Sequence, residues 1–404
     1  MRLGRQRGAA AVLVALSLIA LVGMVGIVVD LGRLFVMRSE LQNAADACAL
    51  AAARELDGDP TALTRAENAG IRVGTANAVN FQSTPVAIVP ADVRFSTALS
   101  DGAGGNTNYL SQADGAPINS RYAMCTLSRP GVPMTLSMVL GVGALQSVSS
   151  LAVATLAPAQ SSCAIPMGIC TRGPAPTYGL NPGDWLTGRF DAGGGMTGSF
   201  NWIDFSPPSG GQSELAALLT GSGACATGSG TPVGQPGGMG NAAARAWNSR
   251  FGLYQNGAGN PQLETAPPDF TGHTYTALSW PAQANALPDF LNTERPANAP
   301  YQGNAETGLS ISNAYRSATP AELAAGGASR RLVVAPLVDC SGWASSQTVP
   351  IAEYACMLML HPIGSPGDEV SLEFVGLGNA PGSPCATSGL AGGTFGPLVP
   401  VLVQ

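Results

Sequence analysis

The cysteines and histidines are the residues of this chain that could carry chemistry, and their spacing limits what that chemistry can be. There are eight cysteines and two histidines, His273 and His361, in 404 residues. Nowhere do these residues cluster at the short spacings of a tetrahedral zinc site. An even number of cysteines spread over loop-rich sequence favours disulfides in an oxidising compartment over free thiols. The disulfide candidates are Cys48, Cys125, Cys163, Cys170, Cys225, Cys340, Cys356 and Cys385.

The spacing of the cysteines leaves their pairing open. Cys163 and Cys170 are near enough in sequence to close a short loop, and Cys225 could reach a C-terminal sheet. Cys48 could pair with Cys125 or with a cysteine of another subunit. Each intact link typically contributes about 2–4 kcal/mol.

Several classes of function lack the residues they require. All 19 basic residues are arginine, so a phosphate-loop lysine or a Schiff-base lysine cannot exist. No Gly-x-Ser-x-Gly elbow occurs, and a net charge of −6 does not favour nucleic acid. Cys356 and His361 are five residues apart, but a bonded cysteine and a structural histidine are the favoured interpretation. We therefore expect no catalytic residue, metal, cofactor or small-molecule substrate, and no enzyme.

The N-terminal segment is the element whose location determines in which compartment the rest of the chain lies. Residues 9–29 carry no charge, and as a helix they would be about 31 Å long, which matches the hydrocarbon core of a bilayer. A signal peptide is the alternative, but its apolar region is usually shorter, and no cleavage site follows. The sequence predicts an uncleaved transmembrane helix at 9–29 after a cytoplasmic N-terminus at 1–8. More arginines precede the span than follow it, so the bulk of the chain is expected outside the cytoplasm.

The helical pattern continues beyond the apolar run as a narrow stripe. Its members alternate at spacings of three and four residues, and Asp57-Gly58 provides a stop signal. The stripe could pack on the protein's own domain, which we favour, or on a helix of another subunit, since many small residues surround it. The predicted packing face is Leu34, Met37, Leu41, Ala44, Cys48 and Ala51.

Residues 5–58 contain a specific combination of motifs: Arg7-Gly8, a small-residue start, Asp30-x-Gly32-Arg33, and "LQNAADACALAAA". This region resembles the N-terminal part of TadE/TadG-like proteins of the tight-adherence (Flp, type IVc) pilus machinery. The resemblance implies a bacterial inner-membrane protein with a periplasmic bulk. Its implied partners are the lipid bilayer and other Tad/Flp pilus assembly proteins or pilins.

Two departures from the family pattern refine the resemblance. Pilin-like members have a glutamate five residues after the cleaved glycine, whereas Leu13 stands five residues after Gly8. This favours a TadG-type member that is retained in the membrane over a processed pseudopilin. Many TadG-type proteins also carry a von Willebrand A domain with an Asp-x-Ser-x-Ser metal motif. The nearest match, from Asp339 to Trp343, lacks the last hydroxyl, so a strand end and a turn are expected there.

The exported part is predicted to be α+β. Residues 59–158 alternate helical and strand-like segments and, by analogy, form a small pilin-like α+β domain. Residues 159–404 are rich in Gly and Pro and are predicted to be loop-rich and mostly β, with disulfides. Within them, residues 271–303 are the least interpretable stretch, which leaves a mobile loop open. Four apolar runs near the C-terminus, at 330–340, 350–363, 368–378 and 396–404, predict one small, mostly antiparallel sheet.

Two functions fit these observations. The first is a membrane-anchored periplasmic component of Flp pilus assembly that acts through helix packing and protein contacts. The alternative is an anchored extracytoplasmic carbohydrate-binding module or hydrolase. Its support would come from tryptophans that stack on sugars, although burial is the favoured interpretation for such large side chains. These are Trp185, Trp202, Trp247, Trp280 and Trp343.

Overall fold

The computed structural model describes residues 7–102, 105–134, 138, 143–189, 198–207, 211–221, 223–225, 227–236, 240–344, 347–364 and 368–404. The chain forms two compact units. The first comprises residues 1–157 with 399–404, and the second comprises residues 158–398. A long apolar helix, a mixed α/β region and a mostly β C-terminal region with four disulfides confirm the predicted fold class.

Helix α1 (Arg7–Arg54) dominates the first unit. It is one uninterrupted helix of 48 residues, about 72 Å long at 1.5 Å per residue. Aliphatic residues and alanines fill it and no proline interrupts it, so the predicted apolar run and the predicted amphipathic stripe belong to the same helix. Among the described residues, it is the one helix long and apolar enough to span a membrane.

The first unit packs helices on one face of an antiparallel sheet. Its further elements are α2 (Ala62–Gly74), β1 (Ala78–Val79), β2 (Thr84–Pro85), β3 (Val93–Ser96), β4 (Tyr122–Pro133) and β5 (Leu145–Ser161). Strand β4 lies between β3 and β5, with Cys125 opposite Val93 on one side and Ala152 on the other. Alternate residues of β4 and β5 pack with α1 and α2, as the two-residue period of a strand requires.

The second unit contains the larger sheet. Its strands are β6 (Met167–Cys170), β7 (Trp185–Arg189), β8 (Phe200–Trp202), β9 (Pro232–Val233), β12 (Leu332–Val338), β13 (Val349–Met359) and β14 (Glu369–Leu377). The order β7-β14-β13-β12-β6-β8 is antiparallel except where β6 runs parallel to β12, and β9 adds to one end of β13.

The remaining elements of the second unit surround this sheet or lie beyond it. Helices α3 (Gly211–Thr220) and α4 (Asn241–Ser249) precede β10 (Leu253–Gln255), which pairs with β11 (Tyr315–Ser317). A short turn α5 (Leu287–Asp289) continues into a π-helical turn at Phe290–Glu294. The others are α6 (Asn304–Thr307), α7 (Pro320–Gly326) and β15 (Ala386–Ala391), which pairs with the last residues of β5, Ala159 and Ser161, that belong to the second unit.

Strand β12 is buried on both faces because its sheet lies between two layers. Val333, Ala335 and Leu337 pack in a cluster with residues of α3 and α4. The alternate residues of β12 pack in a second cluster with Tyr275 and Phe290, which come from the irregular segment 271–303. A strand covered on both sides reads as a continuous apolar run, which is the pattern that β12 has.

One expectation for the C-terminal region is wrong. The last apolar run forms β16 (Leu398–Leu402), but it pairs with β5 and not with the sheet of β12–β14. Its extended end exchanges backbone hydrogen bonds with Val153 of the first unit. Segment 271–303, for which the sequence leaves a mobile loop open, contains the fully buried Tyr275 and Phe290, and its backbone is hydrogen-bonded to neighbouring segments. Within residues 59–158 the sequence also predicts a short helix at 133–142, a segment that lies largely outside the described residues.

Candidate functional site: the N-terminal helix and its supports

The first half of α1 exposes apolar side chains on all sides. Between Val12 and Val29, large aliphatic residues are 42–72% exposed, although they follow one another along the helix without a polar face. A helix that is apolar all round is usually buried in a large core or in a membrane. No part of the described structure covers the first half of α1, so an apolar environment for it must come from other molecules.

The second half of α1 is buried along one face, which includes most of the predicted packing residues. Met37, Leu41, Ala44 and Cys48 are buried, whereas Leu34 and Ala51 are half-buried at the margin. The face extends further than predicted, since five more residues of the same helix region are buried with them. These are Ala45, Ala49, Ala52, Ala53 and Leu56.

The small residues of this face allow α2 to approach closely. A Cβ added to Gly70 of α2 would lie 3.2 Å from the carbonyl oxygen of Cys48 and 3.3 Å from the Cβ of Ala52. One added to Gly74 would lie 3.0 Å from the Cβ of Cys48. Two glycines four residues apart share a helix face, and their lack of side chains brings the two backbones together. The stripe that could have received another subunit is therefore covered by the protein's own α2.

Polar residues of α1 hold the neighbouring strands and a hairpin. Gln42 Nε2 donates to the carbonyl oxygen of Leu151 in β5 at 3.0 Å. Glu40 lies on the buried side, and its carboxylate accepts hydrogen bonds from the backbone N–H groups of Phe81 and Gln82, each at 3.1 Å. Arg33 donates to the Asn80 side chain at 3.0 Å. Glu40 is not among the predicted packing residues, although its spacing of three residues from Met37 places it on the same face of α1.

Arg65 ties the end of α1 to the start of α2. Its guanidinium pairs with Glu55 at 3.2 Å, with Asp59 at 3.4 Å and with Asp57. The pKa of Asp57 is lowered chiefly by a hydrogen bond from the backbone of Asp59, and that of Asp59 chiefly by the Thr61 hydroxyl. All three carboxylates are partly exposed to solvent, so this arrangement serves to orient the turn more than to stabilise it.

All eight cysteines lie in the described part of the chain, and all are paired. Cys48 of α1 bonds to Cys125 of β4, which was one of the two pairings considered for it. Cys163 and Cys170, which are near enough in sequence to close a short loop, are each bonded to another cysteine instead. The remaining pairs are Cys163–Cys225, Cys170–Cys340 and Cys356–Cys385.

The helix just described is also where the chain resembles known proteins. Residues 8–55 match the family model described as putative Flp pilus-assembly TadE/G-like. The matched region coincides with α1, from its apolar start to its buried end. No curated protein and no solved structure matches the chain.

The residues considered for catalysis occupy structural positions. His361 is buried, its Nε2 accepts from the backbone N–H of Ser371 at 3.1 Å, and burial lowers its pKa. Cys356 is held in a disulfide with Cys385. Asp339 follows β12 and accepts from the backbone N–H of Ser341 at 2.8 Å, which is the turn geometry expected at a strand end.

A polar cleft of 480 Å³ lies in the second unit beside β7 and β14. Its lining includes Trp185, Thr187, Gln283 and Ser371. The indole of Trp185 donates to the buried carboxylate of Glu373 at 3.0 Å, which fixes the ring at the edge of the cleft. Burial raises the pKa of Glu373. Of the five tryptophans, Trp202, Trp247 and Trp343 are buried, and Trp185 and Trp280 are half-buried.

Proposed function

We propose that this protein is a membrane-anchored periplasmic component of a Flp-type pilus assembly machinery. It is held in the bacterial inner membrane by α1, with its N-terminus in the cytoplasm, and acts by protein contacts rather than by catalysis. The observation that carries the proposal is that one continuous helix has an exposed apolar half and a half packed on its own domain, in the region that matches the TadE/G-like family model.

The two halves of α1 suit the two environments that the proposal requires. The exposed half, up to Val29, is long enough for the hydrocarbon core of a bilayer. The buried half begins within about two turns of it and holds a disulfide, Cys48–Cys125, which suits an oxidising compartment. The excess of arginines before the span supports a cytoplasmic N-terminus.

The finer assignment is a TadG-type protein that stays in the membrane and lacks a von Willebrand A domain. Leu13 at the position of the pilin glutamate supports retention, and the turn at Asp339 carries no Asp-x-Ser-x-Ser motif. Because α2 covers the packing face of α1, contacts with pilins or with other assembly proteins are expected on the remaining surface of the first unit or on the second unit.

A deletion strain tests the proposed function. Removal of the gene is expected to abolish surface pili, seen by electron microscopy, while the amount of pilin in whole-cell immunoblots is unchanged. Expression of the full chain should restore piliation, and expression of a chain without residues 9–29 should not. Normal piliation in the deletion strain would refute the proposal.

The polar cleft favours a second candidate, an anchored carbohydrate-binding module. A fixed, half-buried indole with hydroxyl and amide groups around it is chemistry that can bind a sugar ring. A glycan array with the full chain tests this candidate. A reproducible hit that Trp185→Ala removes, and that Trp280→Ala retains, would rank it above the assembly role.

A further inference from the structure

Segment 271–303 brings a histidine near its start together with two carboxylates 16 and 21 residues further along the chain. His273 Nδ1 lies 3.2 Å from Glu294 Oε2. The ligand atoms of His273, Asp289 and Glu294 all lie within 4.8 Å of one another. A tetrahedral metal with bonds of about 2.1 Å holds its ligand atoms roughly 3.4 Å apart. Small side-chain rotations would therefore place these three groups around one ion.

The π-helical turn is what puts both carboxylates on one side. In an α-helix, two residues five apart point about 140° away from each other. Here the backbone N–H of Arg295 donates to the carbonyl of Phe290 at 3.1 Å, and that of Ala299 donates to the carbonyl of Glu294 at 3.2 Å. The bond from Arg295 to Phe290 widens the turn that separates Asp289 from Glu294, so the two carboxylates lie on one side. Such π-helical turns are frequent at functional sites.

Neighbouring residues hold the three groups in place. The Tyr275 hydroxyl donates to Asp289 Oδ2 at 2.9 Å, and Arg331 donates to the carbonyl oxygen of His273 at 2.6 Å. The amide of Gln302 bonds both backbone groups of Thr274, at 3.0 Å and 2.8 Å. Metal ligands in proteins are typically oriented by a surrounding layer of hydrogen bonds of this kind.

The electrostatics of the cluster leave room for a cation. Burial first, and then Arg331, lower the pKa of His273 to about 4, so its ring is neutral at ordinary pH. Burial and the charge of Asp289 raise the pKa of Glu294. Two carboxylates whose oxygens lie within 4.8 Å of each other repel, and the fully buried Arg331 nearby also interacts with Asp269.

We propose that His273, Asp289 and Glu294 bind a divalent transition-metal cation of the zinc type. One imidazole nitrogen and two carboxylate oxygens are a ligand set that Zn²⁺ accepts, with the remaining position open to water. The His273 and Glu294 side chains are 23% and 17% exposed, so an ion can enter from solvent. In the metal-bound state the neutral ring carries its proton on Nε2, which leaves Nδ1 free for the ion, and a proton bound by either carboxylate is released to solvent.

Metal titration of the full chain tests this site. Tag-free protein in detergent is stripped with EDTA and titrated with ZnCl₂ by calorimetry, and CoCl₂ is titrated in parallel to follow the visible absorption of bound cobalt. We expect one ion at this site, which a tenfold excess of CaCl₂ does not displace because calcium takes oxygen ligands. His273→Gln, Asp289→Asn and Glu294→Gln should each weaken zinc binding at least about tenfold. Tyr275→Phe should weaken it by about tenfold through the loss of its bond to Asp289.

The matched control is Glu306→Gln, which removes the same charge from an exposed site in the same unit and should leave zinc affinity unchanged. A readout on the unaltered protein guards against variants that fold poorly. Zn²⁺ should protect His273 from modification by diethyl pyrocarbonate, measured by mass spectrometry, while the buried His361 stays unmodified with or without the metal. Zinc affinity that His273→Gln leaves unchanged, or modification of His273 that zinc does not slow, would overturn the proposal.

Discussion

At the scale of single residues, Glu40 shows how one side chain can hold an unusual backbone. Asn80, Phe81 and Gln82 form the loop of the β1–β2 hairpin, and all three have positive φ angles near 60°. Residues other than glycine rarely adopt this backbone conformation, and each one that does so raises the free energy of the folded state. The Glu40 carboxylate accepts two backbone N–H groups of the loop and the Gln82 amide. It therefore supplies acceptors that a left-handed turn cannot supply itself.

Replacement of Glu40 by alanine is expected to destabilise the first unit by about 1–3 kcal/mol, because part-buried N–H groups lose their acceptor. Chemical denaturation of the full chain in detergent, followed by circular dichroism, measures the effect. Glu55→Ala, directly after the end of α1, is the control, since its pairing with Arg65 is partly exposed and should contribute under about 1 kcal/mol. Equal effects of the two substitutions would show that Glu40 does not support the loop.

At the scale of elements, the contact of α1 with α2 depends on the absence of side chains. Gly70 and Gly74 of α2 face Cys48 and Ala52 of α1 so closely that a Cβ already meets its neighbours. In exchange the helices bury alanines and Leu63 against β4. Because this face of α1 is occupied within the chain, a spacing pattern alone could not tell an internal contact from a subunit contact.

Substitution of Gly70 by leucine should destabilise the first unit by about 1–3 kcal/mol, because overpacking forces the two helices apart. Val73→Leu, on the exposed side of α2, is the control and should change the free energy of unfolding by less than about 0.5 kcal/mol. The measurement is the urea midpoint of both variants. A neutral Gly70→Leu would mean that α2 does not pack on α1 as described.

The Cys48–Cys125 disulfide links the buried face of α1 covalently to strand β4. It closes a loop with a sequence separation of 77 residues, so its removal should cost about 4 kcal/mol through the greater freedom of the unfolded chain. The double variant Cys48→Ala, Cys125→Ala is compared with the parent by thermal melting. The control is the pair Cys356→Ala, Cys385→Ala, which closes a shorter separation of 29 residues and should cost less. The reverse order would contradict this account.

At the scale of the whole molecule, periodic features could be predicted from sequence and juxtapositions could not. The 3.6-residue stripe of α1 and the apolar runs of β12, β13 and β14 follow from local pattern, because each residue's burial repeats with the element's own period. Other features depend on which parts of the chain the fold brings together, and no local pattern gives them. These are the pairing of β16 with β5, the disulfide partners and the contact of His273 with Glu294. The π-helical turn at Phe290–Glu294 has no periodic signal at all, and the segment that contains it has the fewest sequence cues.

The exposed half of α1 predicts that the full chain associates with a membrane. Its 18-residue apolar window has a mean hydropathy of 3.0 and is only 11% buried, a composition that water does not tolerate on a free helix. The full chain should remain in the membrane pellet after alkaline carbonate extraction, whereas a chain without residues 1–29 should be released. Replacement of residues 11–29 by a different aliphatic sequence of equal length is the control, and it should stay in the pellet because length and hydropathy, not identity, hold a helix in lipid.

The orientation of the chain in the membrane is measured with a reporter fusion and by alkylation of the cysteines. Alkaline phosphatase fused after Gln404 should be active, since the enzyme needs an oxidising compartment for its own disulfides, and the cysteines of this chain should resist alkylation until a reductant is added. An inactive fusion with freely alkylated cysteines would place the bulk of the chain in the cytoplasm. A full chain that is soluble would instead show that α1 is not a membrane anchor. The part of α1 that α2 does not cover would then have no explanation.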